Sequence, residues 1–406
     1  MPVITFQAAR EVVVEKVLAY RRTPPTEFLS LAAAQGRVLA APVIADRDTP
    51  PFHRSTRDGY AVRSADVASA TQQDPVPLRL IGQARAGVAH EGAVGAGQCV
   101  EIMTGAPLPA GADAVVMVEY TRAGLHEIAV ERAVAANENV VLRGSEAPEG
   151  TVLLRPGCRL GYAELAMAAS VGCTTLDVCL PPRVAVLPTG DEVVEVDAVP
   201  GPYEIRNSNS VSLEAQVRAA GGEPRALGIA PDNADYLQAM ITEGLKYDVL
   251  LLSGGVSAGK FDLVEPVLAH LGAEFFFDGV LIQPGKPLVF GRAGDTWIFG
   301  LPGNPLSTMV TFELFVRPAL RLLAGEPEVP LTFTRARLAT DFRRKPGLTS
   351  FLPAKLAGSH FEPQVSPVEW KGSGDVASLT RANCFLVLPE DVSEVKAGEW
   401  VSVLPR

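Results

Sequence analysis

The residues of this 406-residue chain best suited to chemistry lie in glycine-rich turns. After the apolar run 183–188 comes Thr189-Gly190-Asp191-Glu192. Its hydroxyl can meet an oxyanion, and its carboxylates can hold a hard cation, since Mg²⁺ prefers oxygen ligands. The plainer reading is a helix start with acidic first-turn residues, and alone the turn favours it. After a second apolar run, 248–252, the chain reads Ser253-Gly254-Gly255-Val256-Ser257-Ala258-Gly259-Lys260-Phe261-Asp262. Three glycines and two serines between a buried strand and a helix make an anion cradle. Backbone N–H groups can point inward there, and the helix dipole favours negative charge. The GK[ST] ending of a Walker loop is missing. An ordinary tight turn rarely needs three glycines, so phosphate or pterin binding is the better reading. A third turn, Leu301-Pro302-Gly303-Asn304-Pro305, is explained structurally by Asn304 as a cap and Pro305 in the first helical turn. Its amides face the same edge of the sheet. Gln283-Pro284-Gly285-Lys286-Pro287 adds a fixed turn with one cation, either a solvated lysine or a phosphate partner.

Ligands of open α/β sheets bind beyond the carboxyl ends of the strands, so these turns require such a sheet. The stretch 183–325 supplies it. Strands are expected at 183–188, 225–229, 248–253, 273–282, 288–291 and 296–300, and helices at 210–220, 234–247, 262–271 and 306–324. Upstream, 5–21 reads as a helix, 31–35 as a short helix capped by Ser30 and stopped by Gly36, and 38–45 as extended. The region from about 50 to 146 has short extended runs (78–81, 114–119, 128–134) and no helical period, which suggests an all-β unit. Its flanks look alike, with an extended 151–154 and a helix at 162–171 on the far side, so the unit reads as an insertion. Past a Gly-Glu-Pro-Glu-Val-Pro linker, short strands at 333–338, 351–356, 384–388 and 400–404 suggest a small β-barrel or sandwich. The expected organisation is a discontinuous mixed domain (1–46 and 147–180), an inserted β domain (47–146), an α/β domain with a parallel-type sheet (181–326) and a C-terminal β domain (327–406).

Composition excludes several classes. The net charge is −10, with one short basic cluster, Arg343-Arg344-Lys345, so a broad nucleic-acid surface is not expected. Mean hydropathy is +0.18, and no run of about twenty apolar residues could span a bilayer. The N-terminus has no signal-peptide pattern, which points to the cytosol. Five cysteines without a CxxC pair argue against a disulfide framework or structural zinc, and five histidines without HExxH argue against a histidine metal site.

Six strings occur in the order of one family: PPFHRSTRDGYAV (50–62), MTGAPLPAGADAVVMVE (103–119), LPTGDEVV (187–194), SGGVSAGKFD (253–262), QPGKP (283–287) and GLPGNPLS (300–307). Each alone is weak. Together they resemble the MoeA family, also seen in the C-terminal half of gephyrin. The resemblance implies four domains and a homodimer whose site lies between the α/β domain of one subunit and the β domain of the other. It implies a transferase of molybdenum cofactor biosynthesis that joins molybdate to adenylylated molybdopterin with release of AMP and use of Mg²⁺, in contact with the molybdopterin adenylyltransferase. Carried over by motif, the catalytic residues are Asp58 and Thr104, which line the cleft from the β domain, and Glu192, Asp232 and Asp262, which line it from the α/β domain and are also the metal ligands. Thr189, Gly190, Ser208, Asn209, Ser253, Gly254, Gly255, Ser257, Pro284, Lys286, Pro302, Gly303 and Pro305 match substrate-binding motifs. The chain departs from the family at Gln283, where some members have lysine, at Asn207, where many have aspartate, and in the HRSTRDGYA string. The competing readings are a molybdopterin adenylyltransferase, which would lack 50–146 and 331–406, a receptor-clustering scaffold, and a relative specialised for tungstate.

Overall fold

The computed structural model describes residues 3–124, 126–255, 263–327 and 330–406. Its centre is a six-stranded sheet in the order Glu223–Ala226, Arg183–Pro188, Val249–Ser253, Thr296–Leu301, Val289–Ala293, Glu274–Asp278. The first four strands are parallel and the last two antiparallel. The sheet is therefore mixed. The short turn Gly294–Asp295 between Ala293 and Thr296 permits only a hairpin there, whereas a parallel step needs a crossover.

Continuous apolar runs form the central strands because both faces are covered. Val184, Val186, Val249, Leu251, Phe299 and Leu301 pack on one side, where Leu213 and Val217 of helix Ser208–Ala220 and Leu306 and Val310 of helix Pro305–Thr311 meet them. Their neighbours Ala185, Leu187, Leu250, Leu252 and Ile298 pack on the other, under Leu237 and Ile241 of helix Ala234–Gly244 and Val267 and Leu268 of helix Val264–His270. Each fully buried Val, Leu or Phe contributes about 1.5–3 kcal/mol. The result is a rigid floor whose strand ends hold their loops in fixed places.

Helix Phe6–Tyr20 places Ala9, Val13 and Val17, four residues apart, in this same core. The N-terminal helix thus packs on the α/β unit. The expected helix at 306–324 is interrupted: Pro305–Thr311 and Arg317–Leu323 are α-helical, and Phe312–Val316 between them is a π-turn. Pro318 has no N–H for the Leu314 carbonyl. Arg10 takes over, with Nη1 donating to Leu314 O at 2.7 Å. Burial pushes the Arg10 guanidinium down to about 10.

The mixed first unit pairs Thr26–Ser30 with Thr175–Cys179 and packs around helix Tyr162–Ser170. The short helix expected at 31–35 is instead a set of turns, because Ser30 ends a strand and its carbonyl takes the N–H groups of Ala33 and Ala34. Buried Glu326, between Arg159 (2.8 Å) and Arg321 (2.5 Å), clamps this unit to the end of the α/β unit.

The β unit is a second six-stranded sheet, from Gly59 to Val130. The chain enters and leaves it side by side. Val43–Ile44 pairs with Val152–Leu154, Arg54–Ser55 pairs with Val140–Val141, and Arg143 Nε meets Asp48 at 2.7 Å. At the C-terminus five strands close a barrel, Thr349–Gly358 bonding to both Pro363–Pro367 and Cys384–Leu388. Ile282–Gln283 adds to it in parallel with Thr349–Ser350, which fastens the barrel to the α/β unit.

Candidate functional site

A cavity of about 1170 Å³ opens at the carboxyl ends of the parallel strands. Thr189, Gly190, Glu192, Ser208, Asn209, Asp232, Ser253, Gly254, Gly255, Pro284, Lys286, Pro302, Gly303 and Pro305 all line it. Sequence separations of more than a hundred residues collapse into one wall because strands 183–188, 249–253 and 296–301 are neighbours in register.

The floor is held by backbone bonds between turns. Thr189 N–H donates to Ser253 O at 2.9 Å, Gly190 N–H to Ala230 O at 3.1 Å and Gly254 N–H to Leu301 O at 3.2 Å. Gly254 has φ of +95°, and a Cβ there would stand 2.7 Å from Thr189 O, so only glycine fits without displacing the first turn. Asn209 Nδ2 ties three elements, donating to Ser253 Oγ and Gly303 O, both at 2.8 Å. The buried Thr189 Oγ1 and Asn209 Oδ1 have no partner among the described residues. Unpaired buried polar atoms are costly, and these two belong to residues that line the cavity.

The walls differ in charge. Glu192 and Asp232 stand on one side, and Asp232 N–H donates to Asp191 Oδ1 at 3.0 Å, fixing that corner. Lys286 enters from the turn after Gln283, whose bond to Pro284 is cis. The barrel contributes Lys345, Gly347, Leu348, Trp370, Gly372 and Ser373. Local sequence does not place these residues at the cavity: the Gln283–Ser350 pairing brings the barrel there. Asn207, a departure noted in the sequence, is a buried helix cap that accepts from Ser210 N–H at 3.1 Å. Asn304 also stands at a cap position, but its side chain makes no capping bond, and Leu306 N–H goes to Ser373 O of the barrel at 2.9 Å.

Asp58 and Thr104 are brought to each other and not to this cavity. Thr104 donates to Asp58 Oδ1 from its N–H at 2.6 Å and its hydroxyl at 2.8 Å. These bonds hold the Asp58 carboxyl below its ordinary value, the backbone N–H contributing most. Gly59 beside it lies so close to Val116 that a Cβ would collide with Val116 O at 1.9 Å. Ser257 and Asp262 fall outside the described residues. Among the described residues no three acidic, histidine or cysteine side chains cluster to hold a metal. Two carboxylates facing one cavity still fit Mg²⁺, which commonly takes one or two carboxylates plus ligand phosphates.

The chain matches family models described as the MoeA N-terminal region (domain I and II) over residues 4–172, a probable molybdopterin binding domain over 185–322, and the MoeA C-terminal region (domain IV) over 335–405. It is 35% identical over 396 residues to a molybdopterin molybdenumtransferase of Bacillus subtilis (strain 168), covering 96% of this chain and 92% of that one. A molybdopterin molybdenumtransferase of Staphylococcus aureus (strain MRSA252) is 32% identical over 392 residues, covering 96% and 94%. Among solved structures, the molybdopterin biosynthesis moeA protein from Pyrococcus horikoshii OT3 superposes with a TM-score of 0.81 at 29% identity and covers 100% of both chains.

Proposed function

This chain belongs to the MoeA family and is a transferase of molybdenum cofactor biosynthesis, and from that premise we propose that its cavity binds adenylylated molybdopterin and joins molybdate to it with release of AMP. The observation that carries the reading is the two-sided charge of the strand-end cavity, with carboxylates Glu192 and Asp232 on one wall and Lys286 on another.

The substrate is anionic along its length. Backbone amides of Gly255, Gly303 and Asn304, together with Lys286, offset its phosphates. Glu192 and Asp232, with Asp262 of the GKFD string, would hold Mg²⁺, which supplies charge neutralisation at the anhydride that is broken. Thr189 and Asn209 orient the ligand through their free oxygens. The chemistry needs position and electrostatics, with no protein nucleophile, because the substrate's own sulfurs or the molybdate oxygens form the new bonds.

Asp58 and Thr104 complete this cleft from a second copy of the chain. Val199 is 90% exposed and Tyr203 92%, on the same 193–206 segment whose Ile205 and Arg206 line the cavity mouth. An apolar edge of this kind is suited to burial against another chain, which supports a homodimer. The reading carries a cytosolic setting and transfer of substrate from the adenylyltransferase that makes it.

The test is reconstitution of purified protein with adenylylated molybdopterin, Mg²⁺ and molybdate or tungstate. AMP should appear only when the oxyanion is added. AMP release independent of oxyanion, or none at all, would refute the reading. Comparing the two oxyanions measures the metal preference.

A further inference from the structure

The basic run Arg343-Arg344-Lys345 does not act as one unit. Arg343 pairs with Glu394 at 3.1 Å. Arg344 turns into the barrel, with Nη1 donating to Leu348 O at 2.5 Å and Ser350 Oγ at 2.7 Å and Nη2 bonding to Pro389 O. Burial pushes the Arg344 guanidinium below its ordinary value. Both arginines are thus committed to holding the barrel's own backbone and side chains. Lys345 differs: it lines the cavity and makes no ion pair among the described residues.

Its place is fixed by long-range pairing. Ile282–Gln283 runs parallel to Thr349–Ser350, and Thr349 N–H donates to Leu281 O at 3.0 Å. That pairing sets the 345–348 turn beside the 283–287 turn, which carries Lys286. Two lysines from different units therefore line one cavity, and neither has an acidic partner among the described residues. The chain has 46 acidic residues against 36 basic ones, so acidic partners are not scarce. Unpaired like charges around a concave space raise its positive potential and favour an anion.

We propose that Lys345 is a ligand-binding residue supplied by the C-terminal barrel, which with Lys286 grips a tetrahedral oxyanion of the ligand. This rests on the transferase reading and extends it to the barrel. Arg344 holds the turn, and Lys345 reaches the ligand. A flexible ammonium is a point charge without the fixed fork of a guanidinium, so it can follow an oxyanion that changes during the reaction. The oxyanion is either the phosphate of the nucleotide-linked substrate or molybdate itself.

The experiment uses full-length wild type, Lys345→Ala, Lys345→Arg and, as control, Lys355→Ala, an exposed residue of the barrel strand Thr349–Gly358 that follows the turn. AMP and sodium molybdate are titrated separately by calorimetry, with thermal melts alongside. Losing one charge-assisted contact should weaken one titrant by roughly tenfold to a hundredfold in Lys345→Ala. Lys345→Arg should retain most of the affinity, and melts should match wild type. Loss confined to AMP identifies the phosphate, and loss confined to molybdate identifies the metal oxyanion. Wild-type affinity for both titrants in Lys345→Ala overturns this inference alone. Wild-type protein that binds neither titrant overturns the transferase reading and this inference with it.

Discussion

The strand-end cavity and the Asp58–Thr104 corner of the β unit hold their polar groups by opposite means. In the cavity, parallel strands buried on both faces aim their turns at a common space, and Thr189 Oγ1 and Asn209 Oδ1 have no partner among the described residues. In the β unit, Asp58 and Thr104 satisfy each other, and neither reaches that space within the chain. The first region is a preformed pocket. The second is a pair held together outside that pocket, which the proposed function assigns to the cleft of a second copy. Residues that share a motif pattern in the sequence can therefore lie apart within one folded chain.

Substitutions in the pocket should give the largest effects. Glu192→Gln combined with Asp232→Asn removes both carboxylates from the acidic wall, and AMP release should fall roughly a hundredfold or more at unchanged melting temperature. Near wild-type release would mean that wall is structural. Gly254→Ala forces a side chain into a left-handed conformation against Thr189 O and should cost about 1–3 kcal/mol in denaturant titrations. It should also weaken ligand binding, and a neutral outcome would show that the two turns are not rigidly coupled.

The smallest effect sharpens the other half. Thr104→Val keeps the N–H that depresses the Asp58 titration most and removes the hydroxyl that depresses it next. The Asp58 carboxyl should therefore titrate higher, part of the way back to an ordinary carboxylate. A lowered carboxyl adds stability that is present above its unfolded value and lost as pH falls through its folded one. In the variant that contribution is smaller and its loss is complete at a higher pH, while the onset, set by the unfolded value, stays where it was. A carbon-13 titration of Asp58 reads the shift directly, and an unmoved midpoint would remove the hydroxyl from the explanation.

Much of the pocket could be read in the sequence because its physics is local. Apolar runs followed by glycine and hydroxyl residues mark strand ends, and parallel strands put those ends on one edge. Thr189–Glu192, Ser253–Gly255 and Pro302–Pro305 were found that way. The barrel's share, Lys345–Leu348 and Trp370–Ser373, depends on the pairing of residues 282–283 with 349–350, which no local pattern encodes. Helix 306–324 could be read as a helix but its π-turn could not, since that follows from Pro318 and a distant Arg10 together. The strand Thr26–Ser30 was missed because its alternation leaves it half exposed and its partner lies at 175–179.

Mixing two inactive chains tests the shared cleft most directly. Asp58→Ala and Glu192→Gln proteins are each prepared, unfolded together, refolded and assayed for molybdate-dependent AMP release. If the β unit of one chain completes the pocket of another, each mixed dimer has one pocket with both halves intact, and the mixture should recover about a quarter of wild-type activity. If pocket and β unit act within one chain, no mixed dimer carries an intact site, and the mixture should stay as inactive as its parents.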